Sequence, residues 1–246
     1  MVNLITYDYN EKLMNEYKEE MKKEFPPVTT LLNSFTQKKA QVAFAEDVKI
    51  LYGNGYITEK LIRESKEYLF KISPNSFFQT NTLQAEKLYR TASDYGGFRK
   101  SDNVLDLYCG TGTITQTLAL RAKKVIGVEL VEEAVEAARE NARMNGLENC
   151  EFIAGDVLEV LDRLTEKPDV IVLDPPRVGV HPKALEKILN YGVKQIIYIS
   201  CNPKSLVENL NFMQYYGYKT VSVKAFDNFP NTKHIESVVL LNYCGS

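Results

Sequence analysis

Residues 104–115 read "VLDLYCGTGTIT". A short apolar run, Val104 to Leu107, ends in a turn holding Gly110 and Gly112, and a helical pattern opens directly after it. Working outward, four more apolar runs, "KVIGVEL", "CEFIAG", "DVIVLD" and "QIIYIS", each precede a helix-like stretch. The predicted helices include 113–121, 131–145, 183–190 and 204–216. Strands alternating with helices build βαβ units, so the expected sheet is parallel and covered on both faces. After "QIIYIS" and its helix the alternation stops. "YKTVSVKAF" and "HIESVVLLNY" follow as two strands with no helix between them. They predict an antiparallel pair at the edge of an α/β, mostly parallel seven-stranded sheet.

The first part of the chain differs in character. A charged helix is expected at 10–24, stopped by Pro26 and Pro27. "VTTLLNSF", "DVKILYG" and "EYLFKIS" read as strands, and "NTLQAEKLYRTASDYG" as a helix ended by Gly96 and Gly97. The predicted division is a smaller α+β region at 1–95 and a regular α/β domain at 96–246. With 246 residues and 44% hydrophobic content the chain can bury a sizeable core. It has no apolar run of the roughly 18 residues that a membrane helix needs. Its polar, charged first residues are not a signal peptide. Cys109, Cys150, Cys201 and Cys244 form no CxxC pair, so neither a zinc site nor a disulfide framework is supported and a cytoplasmic location with reduced thiols is expected. The formal net charge is −2, against the basic face that strong nonspecific nucleic-acid binding needs. The basic clusters "KKEF", "QKK" and "RAKK" are short.

The glycine turn lacks the third glycine of a GxGxxG fingerprint, because position 115 is Thr. Asp106 lies within it, and Glu129 ends the following strand, nineteen residues after Gly110. An end-of-strand carboxylate there suits a hydrogen bond to ribose hydroxyls. A carboxylate at the loop disfavours a pyrophosphate and favours the cationic amino-acid end of S-adenosyl-L-methionine. An ordinary βα turn and a dinucleotide site stay open on the residues alone. Asp156 in "IAGDV" is a candidate contact for the adenine amino group and equally a helix N-cap, and the two roles are compatible.

"DVIVLDPPRVG" ends a strand in Asp174-Pro175-Pro176-Arg177. Ligands of open α/β sheets sit beyond the carboxyl ends of the strands, which aims Asp174 at a site. Methyltransferases of exocyclic amines resemble this motif but carry Asn for the Asp and an aromatic for Arg177, so amine chemistry is disfavoured. "IIYISCNPK" puts Cys201 at another strand end. Read alone, a lone free cysteine is as a rule small apolar filler. Pyrimidine C5 chemistry gives it another use: a thiolate adding at C6 makes an enolate whose C5 is nucleophilic, and a base then removes the C5 proton. That needs one cysteine and one carboxylate. Glu236, beside His234 in "NTKHIESVV", is the candidate base; its plain alternative is an exposed edge glutamate. Cys109 is the rival thiol, but inside the loop it is expected to pack.

"FFQTNTLQAEKLY", "LDLYCGTGTIT", "GVELVEEAVEAARENARMNG", "DPPRVG", "YISCNPKSL" and "FPNTKHIE" together resemble the RNA (uracil-5-)-methyltransferase family, from about residue 50 to the C-terminus and in the family's order. The resemblance implies a Rossmann-like S-adenosylmethionine-dependent methyltransferase fold. It implies Cys201 as nucleophile and Glu236 as proton-abstracting base. It implies cofactor contacts from Gln79, Tyr108 and Glu129, and from Thr113, where some relatives have Asn; Asp174 carries over as a site residue near the cofactor amino acid or the target base, and Gly110, Gly112 and Asp156 join the cofactor candidates from the reading of the residues above. The region 1–95 is then available for RNA contact, and 96–246 is the catalytic domain. The implied substrate is a uridine in RNA: 23S rRNA is favoured by the Phe-Phe-Gln-x-Asn and Asp-Pro-Pro-Arg pattern, with tRNA uridine-54 as the alternative. The family's N-terminal TRAM domain and cysteine-rich iron–sulfur segment are not visible, so the chain is expected to be a truncated version that binds the cofactor tightly and RNA weakly, with no metal or cluster. Two other readings are a catalytically idle RNA-binding or assembly module, against which the paired Cys201 and Glu236 argue, and a 5-methylcytosine enzyme, whose relatives carry Pro-Cys where this chain has Pro175-Pro176.

Overall fold

The computed structural model describes residues 1–37, 47–74 and 76–245. The chain packs as two compact units, residues 1–59 with 70–77 and residues 60–69 with 78–246. The first unit holds strand β1 (Val2–Thr6), helix α1 (Glu11–Glu24), β2 (Leu31–Phe35) and β3 (Asp47–Tyr52). β1 pairs parallel with β2, and β2 pairs antiparallel with β3. The expected helix at 10–24 is α1. Asn10 caps it by accepting the Leu13 N–H at 3.0 Å, and Pro26 disfavours helical geometry in the residue before it, Phe25. Strand β1 was not anticipated, since its five residues sit in a polar, charged segment. The basic cluster "QKK" runs into residues outside the described ones.

Strands β4 (Ile57–Arg63) and β5 (Lys66–Ile72) form a two-stranded sheet. Glu64 and Ser65 join them, both with positive φ (49° and 67°). That left-handed pair gives the turn the twist a tight hairpin needs. Neither residue is Gly or Asn, which is why β4 is hard to see in sequence.

The second unit contains α2 (Thr82–Gly96), β6 (Asn103–Leu107), α3 (Thr113–Leu118), β7 (Lys124–Glu129), α4 (Glu132–Met144), β8 (Cys150–Ala154), α5 (Val157–Arg163), β9 (Val170–Leu173), α6 (Pro182–Asn190), β10 (Gln195–Ser200), α7 (Pro203–Tyr215), β11 (Tyr218–Phe226) and β12 (Glu236–Tyr243). The sheet order is β11-β12-β10-β9-β6-β7-β8. β10, β9, β6, β7 and β8 run parallel. β12 pairs antiparallel with both β10 and β11, so the expected final pair stands at the edge with β12 as its inner member. The α/β, Rossmann-like expectation holds. Helix α2 packs on β10 and β12, so the packing boundary falls at different residues from the sequence boundary at 95. Helix α5 is only seven residues long, too short to show a helical period.

The core follows from the strand composition. Leu105, Leu107, Ile171, Leu173, Ile196 and Tyr198 are at most 1% exposed and form one cluster. Each aliphatic side chain there stabilises the fold by roughly 1.5–3 kcal/mol through burial. Two buried tyrosines of this cluster are satisfied: Tyr198 donates to Asn209 Oδ1 at 2.7 Å and Tyr218 to the Val193 carbonyl at 2.8 Å. The chain leaves β6 toward β7 and β8 on one side, and reaches β9 and β10 on the other. A crevice therefore opens between the carboxyl ends of β6 and β9, where ligands of such sheets bind.

Candidate active site

The loop after β6 lines one side of that crevice. Tyr108 has φ +67°, a left-handed conformation that costs a non-glycine residue on the order of 1–2 kcal/mol. Its amide and that of Cys109 both donate to the Val128 carbonyl, at 2.9 and 3.0 Å, which holds the loop in this shape. Burial and then Asp156 push the Tyr108 phenol up to about 12. The two glycines do different work. Gly110 has φ +54° and a Cβ there would meet nothing within 4 Å, whereas at Gly112 a Cβ would lie 2.6 Å from the Phe152 ring. Gly110 thus borders open space and Gly112 is demanded by packing. Thr113 opens α3 and is buried. Glu129 accepts the Gly110 N–H at 3.1 Å with one oxygen and the Leu130 and Val131 N–H groups at 2.9 and 3.1 Å with the other. About one of a carboxylate's four acceptor positions stays open beyond these three bonds. Asp156 caps α5 by accepting the Leu158 N–H at 2.8 Å.

On the other side, β9 delivers Asp174, half-buried, with its amide bonded to the Leu107 carbonyl at 3.2 Å. Desolvation, Glu236 and Asp106 push its carboxyl well above the usual range. Asp106 is fully buried in β6 and accepts the Thr115 hydroxyl at 2.6 Å; burial raises it to about 7. Glu236 begins β12 and is 4% exposed. The exposed-edge alternative is therefore overturned, because β12 has a strand on each side. Desolvation lifts Glu236 to about 7, and Arg177 pulls it back down.

The ladder between β10 and β12 ends at the pair Ser200 and Ser237. The next residues along these strands are Cys201 and Glu236, cross-strand neighbours on one side of the ladder. Cys201 is half-buried. Desolvation raises its thiol, Glu236 and Asp174 add to that, and Arg177 opposes it. The turn after Cys201 is held from several directions. Asn202 Oδ1 accepts the Lys204 N–H at 3.2 Å and caps α7, while its Nδ2 donates to the Arg177 carbonyl at 2.8 Å. Ser205 donates to the same carbonyl at 3.0 Å. Pro203 follows at the first helical position, where a missing N–H costs nothing. The Arg177 guanidinium in turn meets His234 Nδ1 at 2.9 Å. One hydrogen-bonded run thus links the nucleophile candidate's turn, the Asp-Pro-Pro-Arg loop and the segment leading to Glu236.

Gln79 is buried, and its Oε1 accepts the Asn228 Nδ2 at 2.8 Å. Asn81 caps α2 by accepting the Gln84 N–H at 3.3 Å, and its own Nδ2 donates to the Asn228 carbonyl at 3.2 Å. Cys109 is buried against Val135, Ala138 and Phe152, with its thiol held well above 9 by desolvation. Cys150 is pushed up to about 12 by burial. Cys244 is exposed beyond the far end of β12, and Cys201 is the half-buried thiol beside Glu236. Phe77 is exposed and Phe78 half-buried. Among the described residues no group of three or more His, Cys, Asp or Glu is arranged to hold a metal ion, and no helix is long and apolar enough to cross a membrane.

Residues 2–244 match the tRNA (uracil-5-)-methyltransferase family. The chain belongs to this family. An uncharacterized RNA methyltransferase of Clostridium tetani is 49% identical over 241 residues, covering 97% of this chain and 52% of the relative. Another, from Clostridium acetobutylicum, is 47% identical over 211 residues, covering 86% and 45%. The crystal structure of the Pyrococcus abyssi tRNA (uracil-54, C5)-methyltransferase in complex with S-adenosyl-L-homocysteine superposes with a TM-score of 0.78 at 31% identity, covering 98% of this chain and 56% of that one. The chain spans about half the length of the curated relatives it matches. Sequence reasoning did not single out Tyr89 of α2, which is buried and whose hydroxyl is raised by burial first and then by Asp174, Glu236 and Asp106. Its position in the apolar stripe of α2 looks like ordinary core, so no local signal sets it apart.

Proposed function

We infer that this chain methylates C5 of a uridine in RNA with S-adenosyl-L-methionine as methyl donor. The observation that carries this is the placement of a thiol and a buried carboxyl, Cys201 and Glu236, one step past the last β10–β12 pair. The crevice fits the cofactor on its own terms. Asp106, Asp174 and Glu236 all have raised pKa values through burial first, and neighbouring carboxylates add to the rise at Asp174 and, less, at Asp106, while Arg177 opposes it at Glu236. A cationic ligand would relieve such a crowd of carboxyls. Gly110 leaves open space beside Glu129 for a ribose, Asp156 is assigned to the adenine edge, and Gln79, Tyr108, Gly112, Thr113 and Asp174 complete the proposed contacts. When bound, the cofactor supplies an electrophilic methyl group on a sulfonium.

The chain's own residues then act in order. Cys201 loses its proton to solvent and its sulfur forms a bond to uracil C6, which shifts the C5–C6 electron pair toward O4. C5 of the resulting enolate takes the methyl. Glu236, as carboxylate, removes the C5 proton, the C5–C6 double bond reforms and the Cys201 thiolate leaves. Covalent addition of this kind replaces one difficult step by easier ones. The base leaves its stack to present both faces, so flipping is part of the proposal.

The 23S rRNA assignment rests on the Phe77-Phe78-Gln79 and Asp174-Pro175-Pro176-Arg177 pattern; the tRNA alternative is favoured by the named activity of the Pyrococcus abyssi relative. The test is a methylation assay with labelled cofactor on 23S rRNA and on tRNA transcripts, followed by nucleoside analysis. Labelled 5-methyluridine from the 23S transcript supports the full reading, and label from tRNA alone moves the substrate. Label in 5-methylcytidine, or none on either RNA with the chain demonstrably binding cofactor, contradicts the reaction.

A further inference from the structure

We propose that Asn228 is a positioning residue that turns the Gln79 amide toward the carboxylate of the bound cofactor. This rests on the reading of Gln79 as a cofactor contact. Asn228 lies between β11 and β12, in the segment that leads to Glu236, and is 1% exposed. It is held twice to the start of α2: its Nδ2 donates to Gln79 Oε1 at 2.8 Å, and its carbonyl accepts from Asn81 Nδ2 at 3.2 Å. Its remaining side-chain atom, Oδ1, is buried with no hydrogen-bond partner among the described residues.

That combination is a poor device for stability. A buried acceptor without a partner is destabilising, while one amide–amide bond returns little. Its value lies in what it does to Gln79. An amide carries one acceptor oxygen and a two-donor nitrogen. With Oε1 turned to Asn228, the amide's other end, the nitrogen with its two N–H donors, is the one Gln79 presents on the opposite side. Of the cofactor's parts, the ribose has Glu129 and the adenine amino group has Asp156, both acceptors; the sulfonium and ammonium are cations that N–H donors repel. The carboxylate is the part that needs a donor. Asn228 thereby fixes the polarity of Gln79, and with Asn81 it ties the amino-acid end of the cofactor site to the segment carrying the proposed base.

The test compares binding of S-adenosyl-L-homocysteine with that of 5′-methylthioadenosine, which lacks the amino-acid end, by calorimetry on wild type, Gln79→Ala, Asn228→Leu, Asn228→Asp and the Gln79→Ala/Asn228→Leu double variant. Asn228→Leu removes the hydrogen bond. Asn228→Asp offers only acceptors and reverses the Gln79 amide. Each is expected to weaken S-adenosyl-L-homocysteine about tenfold, the effect of one charge-assisted hydrogen bond, and to leave 5′-methylthioadenosine within twofold. In the Gln79→Ala background Asn228→Leu should add nothing. Equal weakening of both ligands, additive losses in the double variant, or unchanged affinity would overturn the proposal. If Asn228→Leu does not fold, as judged by its circular-dichroism melt, Asn228→Asp decides alone. Wild type binding neither ligand would contradict the cofactor reading itself. Gln79→Ala binding normally would contradict the Gln79 reading and this proposal with it.

Discussion

In the proposed reaction Cys201 and Glu236 have opposite needs. The thiol must ionise, and its surroundings resist that: burial, Glu236 and Asp174 all raise it, with Arg177 the counterweight. The carboxyl must be ionised to take a proton yet basic enough to want one, and a value of about 7 serves both. Two outcomes follow. Cys201→Ala should abolish methyl transfer and leave S-adenosyl-L-homocysteine binding unchanged, measured by calorimetry beside the activity assay. Glu236→Gln should still alkylate C5 but stall with the C5 proton in place, lowering turnover by about 10²–10⁴, the usual contribution of a general base. A denaturing gel should then show protein linked to ordinary uridine RNA. In wild type, the proton-removal step should quicken as pH rises through about 7, where Glu236 becomes the carboxylate.

At the scale of elements, the β6–α3 loop separates shape from chemistry. Gly110→Ala must adopt φ +54° but meets no atom, so it should cost about 1 kcal/mol of stability and lower cofactor affinity more noticeably, because its methyl enters open space. Gly112→Ala drives a methyl into Phe152 at φ +75°, an overpacking and strain cost of roughly 2–4 kcal/mol. Melting curves and calorimetry on the two variants should therefore rank them in opposite orders. The parallel strands, the glycine turn and the final antiparallel pair were legible in sequence because buried β-branched runs and glycine turns are local patterns. The short α5, the hairpin turn at Glu64-Ser65 and strand β1 were not, because a seven-residue helix shows no period and a left-handed turn without Gly or Asn gives no signal. Cys201 stood out only through its motif. The burial of Glu236 was illegible, since whether a terminal strand is edge or interior depends on pairing far along the chain. Tyr89 and Asn228 were invisible for the same reason: their partners lie far away in sequence.

At the scale of the molecule, charge is spent locally. Lys22 and Lys23 of "KKEF" pair with Glu19, Glu20 and Glu24, and in "RAKK" Arg121 pairs with Asp94 and Glu64 while Lys124 pairs with Glu151. The buried carboxyls shape stability instead. Glu236 and Asp106 have folded values of about 7 against ordinary values of 4.5 and 3.8. The folded chain thus holds these protons more tightly than the unfolded chain. That stability is fully present below about pH 4 and is lost as pH rises to about 7, the reverse of a salt-bridged carboxylate. Denaturant titrations of the ligand-free chain should show stability falling across this window. Glu236→Gln should flatten its share, on the order of 3 kcal/mol. A pH-independent difference between variant and wild type would count against a buried, protonated Glu236.

The central claim is that Cys201 forms a bond to a pyrimidine whose C5 then takes a methyl group. Fluorine at C5 cannot leave as a proton, so RNA carrying 5-fluorouridine should stop the reaction after methyl transfer. Incubated with that RNA and S-adenosyl-L-methionine, the chain should yield a denaturation-resistant protein–RNA adduct that mass spectrometry maps to Cys201, carrying one transferred methyl and absent in Cys201→Ala. Failure to form an adduct with cofactor bound, or an adduct on Cys109, Cys150 or Cys244, would contradict the account.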